Sequence, residues 1–479
     1  MSARIFGSAI RRREDPRLLT GTGTFTDDLS LPGMVHAAML RSPHAHARIT
    51  KIDTSKAKQA PGVIAVYTGE DTAAALKPMV CAWLLPNSDL KIGEYPAIAK
   101  DTVRYAGDIV AVAVAKTAYQ AYDALDLIEV SYEALPAVVD PQKALEQGAP
   151  QIHPNAPGNQ AFKWTVAGGD AAAAFAAPDA VVVKDRIIQQ RLIPTPMEPR
   201  SALAQWTAIT GELTLWNTTQ NPHIVRFIAS IVLGVPEDKL RVVAPEVGGG
   251  FGAKIPQYPG EFVTAFCAMQ LHRPVKWTET RSENYIATTH GRDHVQEVEM
   301  AGTRDGRITA VRGTVWAGMG AYLSTAAPGI PTILHGLMLC GPYQIPNVHE
   351  DVYGVYTNTT PVEAYRGAGR PEATYLLERL IDRFAAAIGK DPVEVRRINL
   401  IPRFDNGHPV ATGLAYDSGD YPAALDKALA HIGYDQLRTE QKDARAKGRY
   451  LGIGVATYVE ICGLGPSQVA GAIGFQGGL

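Results

Sequence analysis

A run of glycines near the middle of the chain is the feature most able to do chemistry. Four of the five residues from Gly248 to Gly252 are glycine, inside the segment Val-Ala-Pro-Glu-Val-Gly-Gly-Gly-Phe-Gly-Ala-Lys that ends at Lys254. Because glycine has no Cβ atom, such a backbone can take positive φ and let another group come close. Its successive N–H groups can then converge on one spot and bind an anion. The run predicts an anion-binding loop or, as the alternative, a tight turn between a strand and a helix.

Two familiar glycine motifs can be tested against this run. A Walker A loop needs Ser or Thr after its Gly-Lys pair, and here Ile255 follows Lys254, which excludes that motif. A dinucleotide fingerprint fits the glycine spacing loosely, but it also needs an acidic ribose partner about 20 residues further on. Around residues 273–277, where that partner would fall, the next acid is Glu279. A dinucleotide site therefore remains only as an alternative.

Two further loops carry side chains suited to an anion. Residues 218–223 contain Gln220, whose amide both donates and accepts hydrogen bonds, and residues 363–371 contain Arg366 and Arg370. Arginine offers a fixed fork of donors to phosphate or carboxylate. Both segments follow predicted strands, where sites are usually built. Together with the glycine run they predict a phosphate-bearing cofactor; taken singly, they would be interpreted as a turn residue and as surface ion pairs.

The composition is that of an ordinary globular protein, and its length allows about three domains. Of the 479 residues, 46% are apolar and 20% are charged, and the formal net charge of −2 argues against a broad nucleic-acid surface. No apolar run approaches the roughly 20 residues that a membrane helix needs. The first ten residues also lack the apolar core of a signal peptide, so neither membrane insertion nor export by its own signal is expected.

The four cysteines are scattered along the chain, at Cys81, Cys267, Cys340 and Cys462. Since they form no C-x-x-C pair, the sequence shows no zinc or iron–sulfur ligand set, and no metal-ligating residue is predicted. We expect all four to be buried, reduced thiols in a cytoplasmic protein.

Hydrophobic periodicity predicts an α+β fold of short strands mixed with helices. Strands are expected at residues 62–67, 108–115, 128–132, 181–183, 203–206, 213–217, 240–243, 295–300, 308–315 and 450–461. Helices are expected at residues 117–127, 171–177, 262–271, 372–388 and 421–431, with another starting at Asp391. Residues 108–115 and 450–461 are expected to be buried strands, and Asp305-Gly306 predicts a hairpin.

Three segments taken together are much more specific than any one alone. They are residues 218–223 (Thr-Thr-Gln-Asn-Pro-His), the glycine run, and residues 363–371 (Glu-Ala-Tyr-Arg-Gly-Ala-Gly-Arg-Pro). Together they resemble the large subunit of the molybdenum hydroxylases, the xanthine dehydrogenase and aldehyde oxidase family. Residues 17–21 (Arg-Leu-Leu-Thr-Gly) and 41–47 (Arg-Ser-Pro-His-Ala-His-Ala) match that family's N-terminal α/β-hammerhead domain. The chain resembles the family over essentially its whole length, most specifically in the glycine run and residues 364–370. Within that family it looks most like the carbon monoxide dehydrogenase-type large subunits.

The resemblance implies an α/β-hammerhead domain followed by molybdenum-cofactor-binding α+β domains. The implied division is an N-terminal arm at 1–30, the hammerhead domain at 31–140, a linker at 141–158, the first cofactor-binding domain at 159–402, and the start of a second, C-terminally incomplete, at 403–479.

The resemblance also implies roles for individual residues. Gln220 stands where the family's catalytic-site glutamine hydrogen-bonds an oxygen ligand of molybdenum. The implied cofactor-binding residues, through backbone N–H groups or the arginine, are Gly249, Gly250, Phe251, Gly252 and Arg366. Pterin sulfurs hold the metal itself, so protein ligands to it are not expected.

The implied reaction inserts oxygen from water at an electrophilic carbon of a small-molecule substrate. Electrons would leave through 2Fe-2S clusters on a small subunit and FAD on a medium subunit. The molybdenum-pterin cofactor is expected in its cytosine dinucleotide form.

At three positions the sequence differs from better-known members of the family, and these differences narrow the class of substrate that is expected. Gly367 stands where carbon monoxide dehydrogenases have a copper-binding cysteine, so copper chemistry is not expected. Ile255 and Leu334 stand where xanthine dehydrogenases have a glutamate and an arginine, and a purine would lose those partners. An aldehyde or an aromatic N-heterocycle is therefore favoured.

The family's catalytic base, a glutamate near the C-terminus of a longer subunit, has no match among these residues, so residues 1–479 alone are expected to be inactive. A second, C-terminal polypeptide completing the enzyme is one alternative. An inactive truncated subunit that acts only as a binding or assembly module is another, and a nucleotide-binding protein unrelated to molybdenum is a third.

Overall fold

The computed structural model describes Ile5, residues 7–462, Gly471 and Gly474. Within these residues the chain forms seventeen strands and fourteen α-helices, an α+β architecture. The strands are β1 (Val35–Arg41), β2 (Ala47–Asp53), β3 (Val63–Thr68), β4 (Thr102–Val103), β5 (Ile109–Ala115), β6 (Glu129–Ala134), β7 (Gln160–Gly168), β8 (Val181–Gln189), β9 (Ser201–Thr207), β10 (Glu212–Asn217), β11 (Leu240–Val243), β12 (Val275–Thr278), β13 (His294–Gly302), β14 (Ile308–Gly320), β15 (Asn347–Tyr356), β16 (His408–Pro409) and β17 (Ala415–Tyr416). The helices are α1 (Asp15–Leu19), α2 (Ser55–Gln59), α3 (Gly69–Thr72), α4 (Ala118–Leu125), α5 (Pro141–Ala144), α6 (Ala171–Ala176), α7 (Pro222–Leu233), α8 (Pro259–Leu271), α9 (Arg281–Ala287), α10 (Ile333–Gly336), α11 (Arg370–Ile388), α12 (Pro392–Asn399), α13 (Tyr421–Ile432) and α14 (Tyr434–Ala446).

The largest sheet has seven strands in the order β11-β10-β9-β12-β1-β5-β3. β1 runs parallel to β12, with Val35 opposite Val275, and β10 runs parallel to β11. Every residue of β5 is buried, as predicted for residues 108–115. The sheet joins strands from before residue 141 to strands from after residue 200, so two of the predicted domains share its hydrogen bonds. The predicted domain boundaries themselves stay a prediction.

A second sheet has five strands in the order β7-β15-β14-β13-β8, and α11 packs across β8 and β13. The predicted hairpin is confirmed, because Gly306 has a φ of +106° in the turn that joins the antiparallel strands β13 and β14. The apolar stripe of α11 is buried as predicted, including Leu376, Leu380 and Phe384. Gly389, with a φ of +72°, ends the helix. Smaller sheets are β4-β2-β6 and β16-β17.

The seven-stranded sheet brings two of the predicted loops together. Residues 218–221 follow β10, and the glycine run follows β11. Because these two strands are parallel neighbours, with Trp216 opposite Val243, both loops leave the same edge of the sheet. Helix α8 starts soon after the glycine run and is buried along most of its length. The glycine run is therefore followed by a well-packed, buried helix that supports it.

Several local predictions were wrong or incomplete. Residues 450–461 form no strand: their exposure alternates residue by residue, and no strand in the described part of the chain pairs with them. The elements α7, α14 and β7 were not predicted from the sequence. Cys462 is exposed, whereas the other three cysteines are buried as expected. No helix among the described residues is both long and apolar enough to cross a membrane.

Candidate cofactor site

Gln220 lies directly against the glycine loop, which is defined here as residues 248–254. Its side-chain Oε1 accepts hydrogen bonds from the backbone N–H of Gly252 at 3.0 Å and of Lys254 at 3.3 Å. The backbone N–H of Gln220 donates to the Lys254 carbonyl at 2.9 Å. With Oε1 held in this way, the amide nitrogen of the exposed Gln220 side chain is oriented away from those two donors, as a hydrogen-bond donor for a ligand.

Among the described residues, several backbone N–H groups in the first part of the glycine loop are unpaired. In the described part of the chain, the N–H groups of Gly249, Gly250 and Phe251 have no hydrogen-bond acceptor. Gly249, Phe251 and Gly252 all have positive φ, at +95°, +55° and +96°. Positive φ is costly for Phe251, and such strain clusters at ligand sites. These three amides form the concave, donor-rich backbone that suits an anion.

Neighbouring groups explain why two of these positions are glycine. A Cβ atom on Gly250 would lie 2.3 Å from Gln220 Oε1, and one on Gly252 would lie 2.4 Å from the Ala364 carbonyl oxygen. The loop is thus packed against Gln220 on one side and against residues 364–366 on the other. Because Gly252 donates its N–H to Gln220, it differs from the other three loop residues predicted to bind the cofactor, whose N–H groups have no such partner.

A buried ion pair links the two ends of the glycine loop. Glu198 Oε2 accepts from the Gly248 N–H and from Lys254 Nζ, both at 2.7 Å, and the Lys254 side chain is 1% exposed. Burial lowers the pKa of Lys254, and the attraction of Glu198 works against that shift. Sequence reasoning missed Glu198, which lies 50 residues before the glycine it holds.

The third predicted loop, defined here as residues 363–369, contacts the glycine loop directly. The Arg366 N–H donates to the Phe251 carbonyl at 2.9 Å, and the Arg366 guanidinium carbon lies 5.9 Å from the centre of the Phe251 ring. Within the described residues, that guanidinium has no hydrogen bond or ion pair of its own. Arg366 is exposed, so it is a free cation beside the unpaired amides.

Arg370 behaves differently from Arg366. Its guanidinium pairs with Glu460 at 2.7 Å and donates to the Ala368 carbonyl at 3.1 Å. For Arg370 the ion-pair interpretation is therefore correct, and the side chain is not available as a free fork.

Arg292 fixes the backbone of the 363–369 loop. Its guanidinium donates to the carbonyls of Tyr365 and Arg366 at 2.7 and 2.8 Å, and it approaches Glu372 at 3.4 Å. Arg292 has a φ of +67°, as does Asp293 after it. Positive φ at two successive non-glycine residues indicates stored backbone strain. Such strain persists only where the surrounding structure holds the backbone in place.

Buried carboxylates fix the two ends of the same loop. Glu363 accepts from the N–H groups of Ala326 and Ala364, at 2.8 and 3.1 Å. Glu372 accepts from the Gly369 N–H at 3.0 Å. Burial raises the pKa of Glu363 to about 7. Sequence reasoning identified neither Arg292 nor Glu372, since their partners lie far away or on another element.

The acidic side chains closest to these loops already have partners. Glu198 holds Lys254, Glu363 holds two backbone amides, and Glu246 pairs with Arg17 of the N-terminal arm. The donor set of the site consists instead of free amides, a side-chain amide and an exposed guanidinium. This set complements a negatively charged ligand, and the three carboxylates named here are each engaged by a group of the protein.

The chain matches two protein-family descriptions. Residues 152–400 match the molybdopterin cofactor-binding domain, and residues 20–136 match the aldehyde oxidase and xanthine dehydrogenase a/b hammerhead domain. The glycine loop, Gln220 and Arg366 all lie within the first match.

Relatives agree with these matches. The carbon monoxide dehydrogenase large chain of Afipia carboxidovorans is 39% identical over 98% of this chain and 60% of its own length. The crystal structure of quinoline 2-oxidoreductase from Pseudomonas putida 86 superposes with a TM-score of 0.92 at 36% identity, over 98% of this chain and 59% of that one. The nicotinate dehydrogenase large molybdopterin subunit of Eubacterium barkeri is 32% identical over 87% of this chain and 95% of its own length.

The chain thus spans about three fifths of the first of these relatives and nearly all of the last. Its cofactor-domain match, its hammerhead match and its donor-rich loops all agree. The chain belongs to the xanthine dehydrogenase and aldehyde oxidase family of molybdopterin-cofactor-binding large subunits.

Proposed function

We propose that this chain is the part of a molybdenum hydroxylase large subunit that holds the molybdenum-pterin cofactor from one side. The observation that carries the proposal is the group of unpaired amides at Gly249, Gly250 and Phe251, beside the Gln220 amide and the free Arg366 guanidinium. Such a group of free donors suits an anion.

Each residue has a distinct part in this proposal. The amides of Gly249, Gly250 and Phe251 bind oxygens of the cofactor, and Arg366 neutralises its charge. Gln220, fixed through Oε1, directs its amide nitrogen at the reacting end of the site. Gly252 shapes the loop and orients Gln220. When bound, the cofactor supplies the oxidation of a substrate carbon with oxygen from water.

The proposed substrate is an aldehyde or an aromatic N-heterocycle. Gly367 offers no thiol for copper, while Ile255 and the buried Leu334 offer no polar partner for a purine. Two of the relatives are named for quinoline and nicotinate, both of which are aromatic N-heterocycles.

The wider assembly follows from the family resemblance. We propose FAD on a medium subunit and 2Fe-2S clusters on a small subunit as electron acceptors, and the cytosine dinucleotide form of the pterin. The general base and the remaining cofactor contacts would come from outside the described residues, in a C-terminal region on this or a second polypeptide. A cytoplasmic location is supported by the three buried, unpaired thiols.

Metal and nucleotide analysis of the protein purified from its native host tests the proposal. We expect about one molybdenum per large subunit and release of a cytosine nucleotide on acid hydrolysis of the pterin. A Gly250→Val variant purified in parallel should lack both. A native complex with no molybdenum would contradict the proposal and favour a binding or assembly module without catalysis.

A further inference from the structure

His335 is a fully buried histidine that lies directly against the 363–369 loop. It stands on α10, which contacts α11 and faces β13 and β15 of the five-stranded sheet. Its Nδ1 lies 3.3 Å from the carbonyl oxygen of Gly369. Its Nε2 lies 3.2 and 3.4 Å from the two carboxylate oxygens of Glu350, a side chain that is buried as completely as His335 itself. Each ring nitrogen therefore faces an acceptor.

This arrangement requires a proton on both ring nitrogens of His335. Only the imidazolium form donates from both, whereas a neutral ring would turn a lone pair towards one of the two acceptors. Burial by itself lowers the pKa of His335, but the attraction of the Glu350 and Glu372 carboxylates outweighs burial, and the pKa is raised. His335 is therefore the cation of a buried ion pair.

The other charged and titratable groups that face His335 balance this charge. Arg292, just before β13, approaches Glu372 at the start of α11 to 3.4 Å, so two buried cations meet two buried carboxylates. His294 on β13 lies nearly perpendicular to the His335 ring, with the ring centres 5.7 Å apart. Burial, together with the positive charges of His335 and Arg292, holds the pKa of His294 well below its usual range. Of these two histidines, only His335 carries a charge.

Gly369, the last residue of the 363–369 loop, is held by this buried group at both of its backbone atoms. Its N–H donates to Glu372 at 3.0 Å, and its carbonyl accepts from His335. A Cβ atom at Gly369 would lie 2.8 Å from the backbone nitrogen of His335, so the loop end is packed tightly against α10. The position of the loop end therefore depends on groups inside the protein.

We propose that His335 is a positioning residue for the 363–369 loop, and that its protonated form holds the loop end from which Arg366 reaches the cofactor. The proposal rests on the function proposed above, because Arg366 is the cation assigned there to the cofactor. It adds a buried proton as the element on which the placement of that cation depends.

The geometry also indicates which proton His335 gives up. Loss of the Nε2 proton would leave the buried Glu350 carboxylate without this partner, and an unpaired buried charge is costly. Loss of the Nδ1 proton takes away only one hydrogen bond to the Gly369 carbonyl, which costs less. Deprotonation therefore keeps the contact with Glu350 and releases the end of the loop.

A loop held by a proton on histidine should loosen when the pH rises. Because the folded-state pKa of His335 lies above its usual 6.5, the stabilisation is complete below pH 6.5 and is lost as the pH rises through the raised value. Glu363, at the other end of the loop, also titrates near neutral pH, so the experiments must separate the two groups.

Hydrogen–deuterium exchange of the native complex measures the loop without reference to activity. Protection factors of residues 363–370, corrected for the intrinsic pH dependence of exchange, should fall about tenfold as His335 is deprotonated, since one hydrogen bond is lost. His335→Gln can still donate to the Gly369 carbonyl but does not titrate, so its protection should not change with pH. Wild-type protection that stays constant, or a transition that persists in His335→Gln, would overturn the proposal. The transition should survive in Glu363→Gln, and its loss there would also overturn the proposal.

Glu350→Gln distinguishes a proton-dependent contact from a merely structural one. Removing the charge on β15 should lower both the midpoint of the loop transition and the pKa of His335 by about one to three pH units. Solid-state NMR of the complex labelled with 15N-histidine reads that pKa, with the resonances assigned by their loss in His335→Gln. An unchanged midpoint would contradict the proposal. In the wild type alone, a neutral His335 ring at pH 6.5 would contradict it without any variant.

His153→Gln is the matched control for replacing a buried histidine. His153 bonds the Ala321 carbonyl at 2.6 Å, but burial lowers its pKa to about 4, so it is neutral over the range of the experiment. Its replacement should leave the midpoint of the loop transition where it is in wild type. A midpoint that moves as far as in Glu350→Gln would mean that general destabilisation, and not the charge on His335, controls the loop.

Molybdenum analysis of the same samples keeps this inference separate from the proposed function. We expect the fraction of molybdenum retained through gel filtration to fall together with loop protection, and to fall at lower pH in Glu350→Gln. The expected loop transition in a native complex without molybdenum would contradict only the proposed function. Molybdenum that is retained equally before and after the transition would overturn the positioning role of His335.

Discussion

The two loops that meet at the proposed cofactor site are built by opposite means. In this proposal the glycine loop acts through its backbone, which is free of side chains at Gly249 and Gly250 and has N–H groups unpaired among the described residues. The 363–369 loop has its backbone groups taken up by the protein, through Arg292 and Glu363. It contributes a side chain, Arg366, instead.

Because of this difference, the two loops should be sensitive to different kinds of substitution. A backbone that binds directly is damaged by any added atom, whereas a backbone held by buried charged groups is damaged when one of those groups is changed. The first loop should therefore be sensitive to size and the second to hydrogen-bond geometry. Four variants separate these two sensitivities.

The largest effect is expected from Gly250→Val. Its Cβ atom would lie 2.3 Å from Gln220 Oε1 and would close the approach to the free amides, so molybdenum content should fall to below about a tenth of wild type. Gly448→Val is the control, since Gly448 has a φ of +74° but nothing within 4 Å. That variant should be less stable yet retain its metal. Normal metal in Gly250→Val would remove the loop from the site.

The next largest effect is expected from Gln220→Ala, measured as turnover of the assembled enzyme. Gln220 is exposed, its side chain is hydrogen-bonded to the loop only through Oε1, and its backbone bond to Lys254 survives the substitution, so the fold and the metal content should stay near wild type. Loss of one oriented donor from a reacting site should lower turnover by about tenfold or more. Unchanged turnover would mean that Gln220 does no more than support the loop.

A smaller effect is expected from Arg292→Lys, which keeps the charge but cannot donate to two carbonyls in a fixed plane. The 363–369 loop should loosen, and the fraction of metal retained through gel filtration should fall several-fold. Arg396→Lys is the matched control, because Arg396 is also buried but holds Glu378 and Asp382 on α11.

Both lysine variants should lower the free energy of unfolding by about 1–3 kcal/mol. Only Arg292→Lys should release the metal. If the two variants lose metal equally, general destabilisation would account for the result and Arg292 would have no specific part in positioning the loop.

The smallest effect is expected from Glu363→Gln and appears as a pH dependence. The folded-state pKa of Glu363 is raised to about 7 from a usual 4.5, so above pH 4.5 the unfolded chain gives up the proton more readily than the folded one. Stability contributed by protonated Glu363 is therefore complete below pH 4.5 and is lost as the pH rises through about 7. The free energy of unfolding of wild type relative to Glu363→Gln should fall over this range, by up to about 1.4 kcal/mol per pH unit.

Denaturant unfolding at pH 5 and pH 7 measures this difference for the two proteins. A wild-type stability that rises over this range relative to Glu363→Gln would show that Glu363 is ionised throughout, held by the Ala326 and Ala364 amides.

The sequence predicted the parts of the candidate site that are local. The glycine loop and Gln220 were predicted because spacing within a few residues carries their chemistry, and the structure brings them into contact. The fold agrees with the predicted α+β class. Arg292 and Glu198 were not recognised. Their partners lie 73 and 50 residues away, and a buried charged residue has no sequence pattern that distinguishes it from an exposed one.

The prediction of a buried strand at residues 450–461 was wrong for a different reason. The glycines and alanine of that segment count as apolar beside Ile453 and Val455, so an alternating pattern was interpreted as continuous burial. Periodicity was present in the sequence, but side-chain size rather than polarity marks the exposed face.

The parallel pairing of β1 with β12 sets a waiting time during synthesis. Val275 lies 240 residues after its partner Val35. At about 5–20 residues per second, β1 would leave the ribosome roughly 10–50 s before the strand that covers its edge. During that interval the exposed edge of β1 is open to wrong partners, so we expect nascent chains of this protein to depend on chaperones until β12 has emerged.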